Sequence, residues 1–379
     1  MVKYLRAANV KDGVLDLSDV KSMNFTPDEQ RIFGLRPGDV LVTEGSGSLS
    51  TVGAAAVWRG EIDEPVCFQN TLLRMRPRSG VMDGGFLGWW AQSAFGSGLF
   101  ASLADGANIY HLSAERVREL RVGIPSLDEQ RRIANFLDTE LGKVDALVAK
   151  KDKLLSRLED RIESRILAHV GASQLAKPNS GHPVSPIRRM LSKVSRPPVA
   201  DGETITAFRD GQVTARSIRR AEGYTLSSTS EAQGQYVEVG DVVIHGLDGF
   251  AGAIGTSESA GNCSPVYHVC VPRNGGNSLF FGRLLRILAV SGYLGLFAIS
   301  TRERAVDFRN WDLFGRIPVP EVSLAEQEEI GRWISSTRPL RVAVERSNVL
   351  AEERRQALIT AAVTGQIDVS TASGRGIED

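Results

Sequence analysis

Cysteine is scarce in this chain. Cys67, Cys263 and Cys270 are the three in 379 residues, and no two stand at CxxC spacing. Neither a disulfide framework nor a thiolate metal site is expected, and a reducing compartment suits the chain. Histidine is also sparse: five residues, with His111, His245 and His268 lacking a partner at metal-ligand spacing, so core or surface roles are their default. Net charge is missing too. Forty-five Lys and Arg balance forty-five Asp and Glu, so no global field draws nucleic acid, and any polyanion site must be a local patch. The most apolar stretch, 284–299, is interrupted by Arg286 and falls short of the roughly 20 apolar residues of a spanning helix. The opening MVKYLRAANV has no apolar centre of the signal-peptide kind. A cytoplasmic protein without a membrane segment is expected, and its 42% apolar residues suffice for the cores of two or three domains.

Catalytic signatures are absent as well. No GxxxxGK[ST] loop exists to cradle nucleotide phosphates, and the one Gly-Lys pair, Gly142-Lys143, lies within a helical pattern. There is no Asn/Asp-Pro-Pro-aromatic stretch of the adenine-methyltransferase kind, and Pro197-Pro198 stands between Arg196 and Val199. Pro27-Asp28-Glu29 has no acidic-x-Lys strand after it and reads as a turn opening a short helix. The expectation is a noncatalytic protein without cofactor or metal.

What is present is one long helix, 126–171. Ser126 and Glu129 have the spacing of a capping box, and Gly171 supplies a left-handed stop. Between them Leu137, Leu141, Val144, Val148, Leu155, Leu158 and Ile162 form a seam facing a single partner helix. Lys151 interrupts the seam, either fixing register or snorkelling to solvent. The partner is on the same chain: Ser323 and Glu326 repeat the cap, Ile330 stands where Ile133 stood, and Gly365 is the stop. Pro339 lies inside this second helix and is expected to kink or break it.

The helices belong to a longer repeat. Gly38-Asp39-Val40 returns as Gly240-Asp241-Val242, and Phe86-Leu87-Gly88 as Phe280-Phe281-Gly282. Strand-like runs LRPGDVLVTEG and VCFQNTLLRMRP precede a glycine-interrupted helix in the first head, and VEVGDVVIHG and PVYHVCVPR precede FFGRLLRILAV in the second. The predicted layout is head 1–125, helix 126–171, linker 172–184, head 185–320, helix 321–369 and a disordered tail 370–379. The fold class is mixed α/β with a pseudo-twofold repeat.

IPSLDEQRRIANFLD at 124–138, SLAEQEEI at 323–330 and RRQALITAAVTGQIDV at 354–369 resemble the specificity subunits of type I restriction-modification systems. The resemblance covers nearly the whole chain. It implies two target-recognition domains held by two antiparallel helices, each reading one part of a split, asymmetric sequence of double-stranded DNA. It implies modification subunits, two of them, docked on the helices to methylate adenine, and restriction subunits that translocate and cleave. Forty helical residues rise roughly 60 Å, enough to serve successive major grooves about 34–36 Å apart. With Arg6 taken as the counterpart of Arg209, the first head reads as shortened at its N-terminus. The alternatives are a coiled-coil scaffold without a DNA role, a specificity domain joined to its own catalytic part, and a silent allele.

DNA reading requires cations for phosphates and forked or planar groups for base edges. The candidates in the first head are Arg6, Lys11, Gln69, Asn70, Arg74 and Arg76, with strand alternation sending Arg74 and Arg76 to one face. A solvated sheet face is the plain alternative for that pair. In the second head, where basic residues mildly outnumber acidic ones, they are Arg209, Arg216, Arg219, Arg220, Arg302 and Arg304.

Overall fold

The structure, a computed structural model, describes residues 1–107, 109–170, 183–219, 234–297 and 307–369. Gly171, residues 172–182 of the linker, the tail from 370, and the candidates Arg220, Arg302 and Arg304 lie outside the described residues. The chain divides into two compact units, Met1–Lys151 with Glu345–Asp379, and Asp152–Val344. The division falls inside both long helices rather than between head and helix. Each unit is therefore a head plus half of either helix.

In the first unit the strand Val40–Thr43 lies between Ala55–Val57 and Leu72–Met75, antiparallel to both. In the second, Val242–His245 lies between Ile254–Thr256 and Tyr267–Pro272, and a fourth strand, Leu191–Val194, pairs along Tyr267–Pro272. A head helix packs on each sheet, Gly84–Gly96 in one unit and Ser278–Val290 in the other. The repeated glycine of each head helix allows the approach. A Cβ on Gly88 would sit 2.1 Å from Val57 Cγ2, and one on Gly282 would sit 2.5 Å from Thr256 Oγ1, so any side chain there would push helix from sheet.

The Gly-Asp-Val repeat has an equally local cause. Gly38 and Gly240 turn the chain at φ +93° and +95°, a conformation in which other residues clash. The aspartate after each is buried, Asp39 at 1% exposure and Asp241 at 3%, and accepts from a backbone amide three residues before it, Arg36 or Glu238. A guanidinium completes each carboxylate. Arg76 donates to Asp39 at 2.7 and 2.6 Å, and Arg196 donates to Asp241 at 2.6 and 3.2 Å. Such two-pronged pairs satisfy a buried charge that would otherwise be costly.

The two long helices are Leu127–Val170 and Leu324–Val363. Pro339 does not break the second, which continues through it; a proline removes one i, i+4 bond, and tertiary packing on either side holds the remaining turns. Ser323 and Glu326 form the full reciprocal cap. At the first helix only the serine half forms, Ser126 Oγ accepting from the Glu129 amide at 3.3 Å, because Glu129 pairs with Arg132 one turn on. Gly365, at φ +73°, closes the second helix.

Within each unit the helix halves pack antiparallel. In the first, Ile133, Leu137 and Leu141 share a core with Ile359, Ala362 and Val363, and Lys151 Nζ donates to Ser347 Oγ at 2.6 Å. The lysine thus stays on the seam and makes a specific polar contact. In the second, Ile162, Ile166 and Val170 meet Ile330 and Ile334. The seam residues Val144, Val148, Leu155 and Leu158 are half-buried.

Candidate nucleic-acid interface

Each head places a hairpin turn against its head helix. Val10–Lys11 pairs with Val14–Leu15 around Asp12-Gly13, and Ile205–Ala207 pairs with Val213–Ala215 around Asp210-Gly211. Gly13 lies against Gln92 and Gly211 against Arg286, at matching positions of the two head helices. This equivalence makes Lys11, rather than Arg6, the counterpart of Arg209. Arg6 pairs with Asp19 and belongs to a different strand end.

Around the second turn, Arg209 pairs with Asp248 at 3.0 Å and Arg219 with Asp210 at 2.7 Å. The Arg219 guanidinium also lies 4.3 Å from the Phe208 ring centre. Arg216, half-buried, opens the short helix Arg216–Arg219 that follows. Exposed pairs of this kind contribute about 0–1 kcal/mol, so a phosphate can exchange for the carboxylate at little cost. Lys11 is exposed beside the equivalent turn of the first unit.

The other first-head candidates are placed differently. Arg74 Nη1 donates to the carbonyls of Ile32 and Gly34 at 2.8 and 3.1 Å, and Arg76 Nη2 donates to Gly34 O at 2.9 Å as well as to Asp39. They share a face, as alternation requires, and cap the end of the helix Pro27–Phe33. Gln69 is half-buried and tied through its backbone to Leu5 and Leu72, while the neighbouring Asn70 is exposed.

Two functional-looking residues escaped the sequence reading. Gln130 is fully buried; its Oε1 accepts from the Asp83 amide at 2.8 Å, and its Nε2 donates to Val81 O and Pro125 O. Gln327 does the same work in the second unit, accepting from the Asn277 amide at 3.1 Å and donating to Val322 O at 2.8 Å. Asp83 and Asn277 are the N-caps of the two head helices. The glutamines thus lock each head onto the start of its long helix. Their signal was the Glu-Gln pair inside both cap motifs.

No family model matches the chain. Over 166 residues it is 30% identical to the StySPI specificity subunit of a type I restriction enzyme from Salmonella potsdam, covering 43% of this chain and 34% of that one. Over 152 residues it is 29% identical to the EcoKI specificity subunit from Escherichia coli K12, covering 40% and 32%. The matched region thus spans about a third of the length of these relatives. A solved structure described as the basis of complex assembly and conformational transition of the type I R-M system shares the fold. It aligns over 97% of this chain and 92% of its own, with TM-score 0.51 and 13% identity. The chain is thus similar to type I specificity subunits over part of their length, and it shares the fold of a type I R-M structure.

Within the repeated frame, the loops after the central strands are unlike. After Val40–Thr43 the first unit carries a hydroxyl-rich loop in which Ser46 Oγ and Thr51 Oγ1 bond at 2.5 Å and Ser48 and Ser50 at 2.7 Å. After Val242 the second unit carries His245, whose Nδ1 accepts from the amides of Leu247 and Asp248. That geometry keeps the ring neutral, and burial pushes its pKa below the ordinary histidine value. Phe250, 41% exposed, projects from the same loop. Among the described residues no three His, Cys, Asp or Glu side chains converge as a metal site, and no helix is long and apolar enough to cross a membrane. The cysteines are free and buried, and burial raises the Cys263 thiol to about 12.

Proposed function

We propose that this chain is the noncatalytic, cytoplasmic DNA-recognition subunit of a type I restriction-modification complex, each head reading one part of a split, asymmetric target. One observation carries the reading: the frame is repeated down to single hydrogen bonds, while the loops after the central strands are unlike. A repeated frame with identical readers would suit a palindrome; unlike readers suit two unrelated half-sites. Lys11 in the first head and Arg209, Arg216 and Arg219 in the second are the favoured phosphate and base contacts; the carboxylates that Arg209 and Arg219 meet are exposed and readily exchanged. Arg6, Gln69, Asn70, Arg74 and Arg76 are secondary, and Arg220, Arg302 and Arg304 keep their proposed role from the sequence alone. Modification subunits would dock on the long helices, where Leu147, Val349 and Leu350 are exposed apolar residues of the first unit, and restriction subunits would complete the complex.

The test is a head exchange. Replacing residues 185–320 with the matching head of another specificity subunit should rewrite one half of the methylated motif and leave the other intact. Affinity for the DNA should also fall steeply with salt. A swap that changes both halves together, or a complex that methylates without sequence preference, would defeat the reading.

A further inference from the structure

One carboxylate ties the hairpin of the second head to the long helix. Val242 pairs with Thr256 and Val40 with Val57, so Glu258 and Arg59, two residues on, hold matching positions of the repeat. In the first unit Arg59 reaches Asp138 of the long helix at 3.5 Å, and Trp89, 8% exposed, donates its indole Nε1 to the same carboxylate at 3.2 Å. In the second unit Arg283 stands for Trp89 and turns to Glu159 at 2.5 Å, and a cavity of about 260 Å³ lies beside the head helix. Glu258 borders that cavity and bridges two elements across its rim. Its Oε1 accepts from Arg341 of the long helix, with Arg338 at 3.7 Å. Its Oε2 accepts from Gln212 Nε2 at 3.1 Å.

Gln212 follows the Asp210-Gly211 turn, so the Glu258 carboxylate joins the hairpin of Ile205–Ala207 and Val213–Ala215 to the helix Leu324–Val363. Neighbouring bonds support the joint: the Glu258 amide donates to Val213 O at 2.8 Å, and Thr214 Oγ1 and Ser259 Oγ bond at 2.9 Å. The Glu258 side chain is 18% exposed, so water competes little for it and its charge-assisted bonds are strong. Gln212 lies three residues after Arg209 and four before Arg216, inside the stretch that carries the favoured cations of this head. We propose that Glu258 is a positioning residue for sequence discrimination by the second head: it fixes the hairpin against the helix and so holds Arg209, Arg216 and Arg219 in place for base edges. The inference rests on the DNA-reading role proposed above. Base readout needs side chains held to within about 0.5 Å and 10–20°, whereas phosphate contacts carry no sequence information. A loosened hairpin therefore loses discrimination before it loses affinity.

The test uses the full-length chain assembled with its modification subunits. The methylated motif of the wild type is mapped first, and head exchange assigns the half that 185–320 reads. Discrimination is then the ratio of methylation rates on matched and singly mismatched duplexes. E258A should lower it by about tenfold in that half, within the range one base pair supplies, and leave the other half and total DNA affinity within about twofold. E258Q should retain most of it, since its amide can accept from Arg341 and donate to a flipped Gln212 amide. Q212L removes only the hairpin end of the bridge and should match E258A, and the double variant should be no worse than either alone. A circular-dichroism melt checks folding, and Q212L decides the matter if E258A fails. The proposal is overturned by unchanged discrimination in Q212L, by equal loss in both halves, or by losses that add in the double variant. A wild-type complex that reads no split motif would defeat the reading of the heads itself, and this inference with it.

Discussion

The first unit closes the space beside its head helix with an indole, and the second leaves that space open and rings it with arginines. The two halves otherwise share a glycine contact, a clamped aspartate and a glutamine lock. The difference teaches which parts of the repeat are frame and which are free to vary. Backbone-to-side-chain bonds at element ends are kept; side chains filling the space between elements are not.

The largest effect should come from removing the filled side chain. Trp89→Ala should cost about 3–5 kcal/mol through lost burial and the cavity it opens, whereas Arg283→Ala, which leaves the half-exposed Glu159 in contact with solvent, should cost less, about 1–2 kcal/mol. Hydrogen exchange at Ile133 and Ile359 against Ile162 and Ile330 would measure it. Equal costs would mean that the two halves are stabilised alike whatever fills them.

A smaller contrast is expected at the glutamine lock. Gln130 makes three hydrogen bonds in full burial and Gln327 two. Gln130→Leu should cost about 2–3 kcal/mol and Gln327→Leu about 1–2, from the backbone groups left unpaired. Chemical denaturation of both variants would rank them, and a reversed order would show that bond count does not set the cost.

The smallest effect concerns pH. Asp12, in the turn of the first head, is pushed up to about 6, mainly by burial, with Arg355 lowering it and Glu352 raising it. Its folded value exceeds the ordinary 3.8, so between these values the native state holds a proton that the unfolded chain has released. Stability should therefore fall as pH rises from about 4 to 6 and then level off, by on the order of 1 kcal/mol. Asp12→Asn should remove that slope and stabilise the protein at neutral pH. The same substitution at Asp210, whose exposed carboxylate pairs with Arg219, is the control for the turn. A slope that survives Asp12→Asn would place the titrating group elsewhere.

Much of the frame was legible because it is written twice. The Gly-Asp-Val turns, the Phe-x-Gly helices and the Ser-x-x-Glu caps announced the repeat, and the spacing of Leu137, Leu141 and Ile162 announced a paired helix. The chemistry of the repeated positions was not legible. Asp39 and Asp241 are clamped by arginines from different strand ends, Arg76 and Arg196, so no common spacing marked the pairs. Arg76 therefore read as a free cation. Arg209 was matched to Arg6 because the offset between repeats drifts through the loops, and only strand pairing places Lys11 opposite it. The break that Pro339 suggested does not occur, since a local rule about one amide says nothing of the tertiary packing that carries the helix past it.

Dividing each long helix between the two units has a consequence for synthesis. The first unit draws residues from both ends of the chain, Met1–Lys151 and Glu345–Asp379, and its core includes Ile359, Ala362 and Val363. A head emerging from the ribosome at about 5–20 residues per second cannot complete that core until Ile359, Ala362 and Val363 have also been made. The second unit, drawn from one continuous stretch, has no such wait. The part translated first is therefore the part that finishes folding last, and in the interval Leu137 and Leu141 stand without their partners.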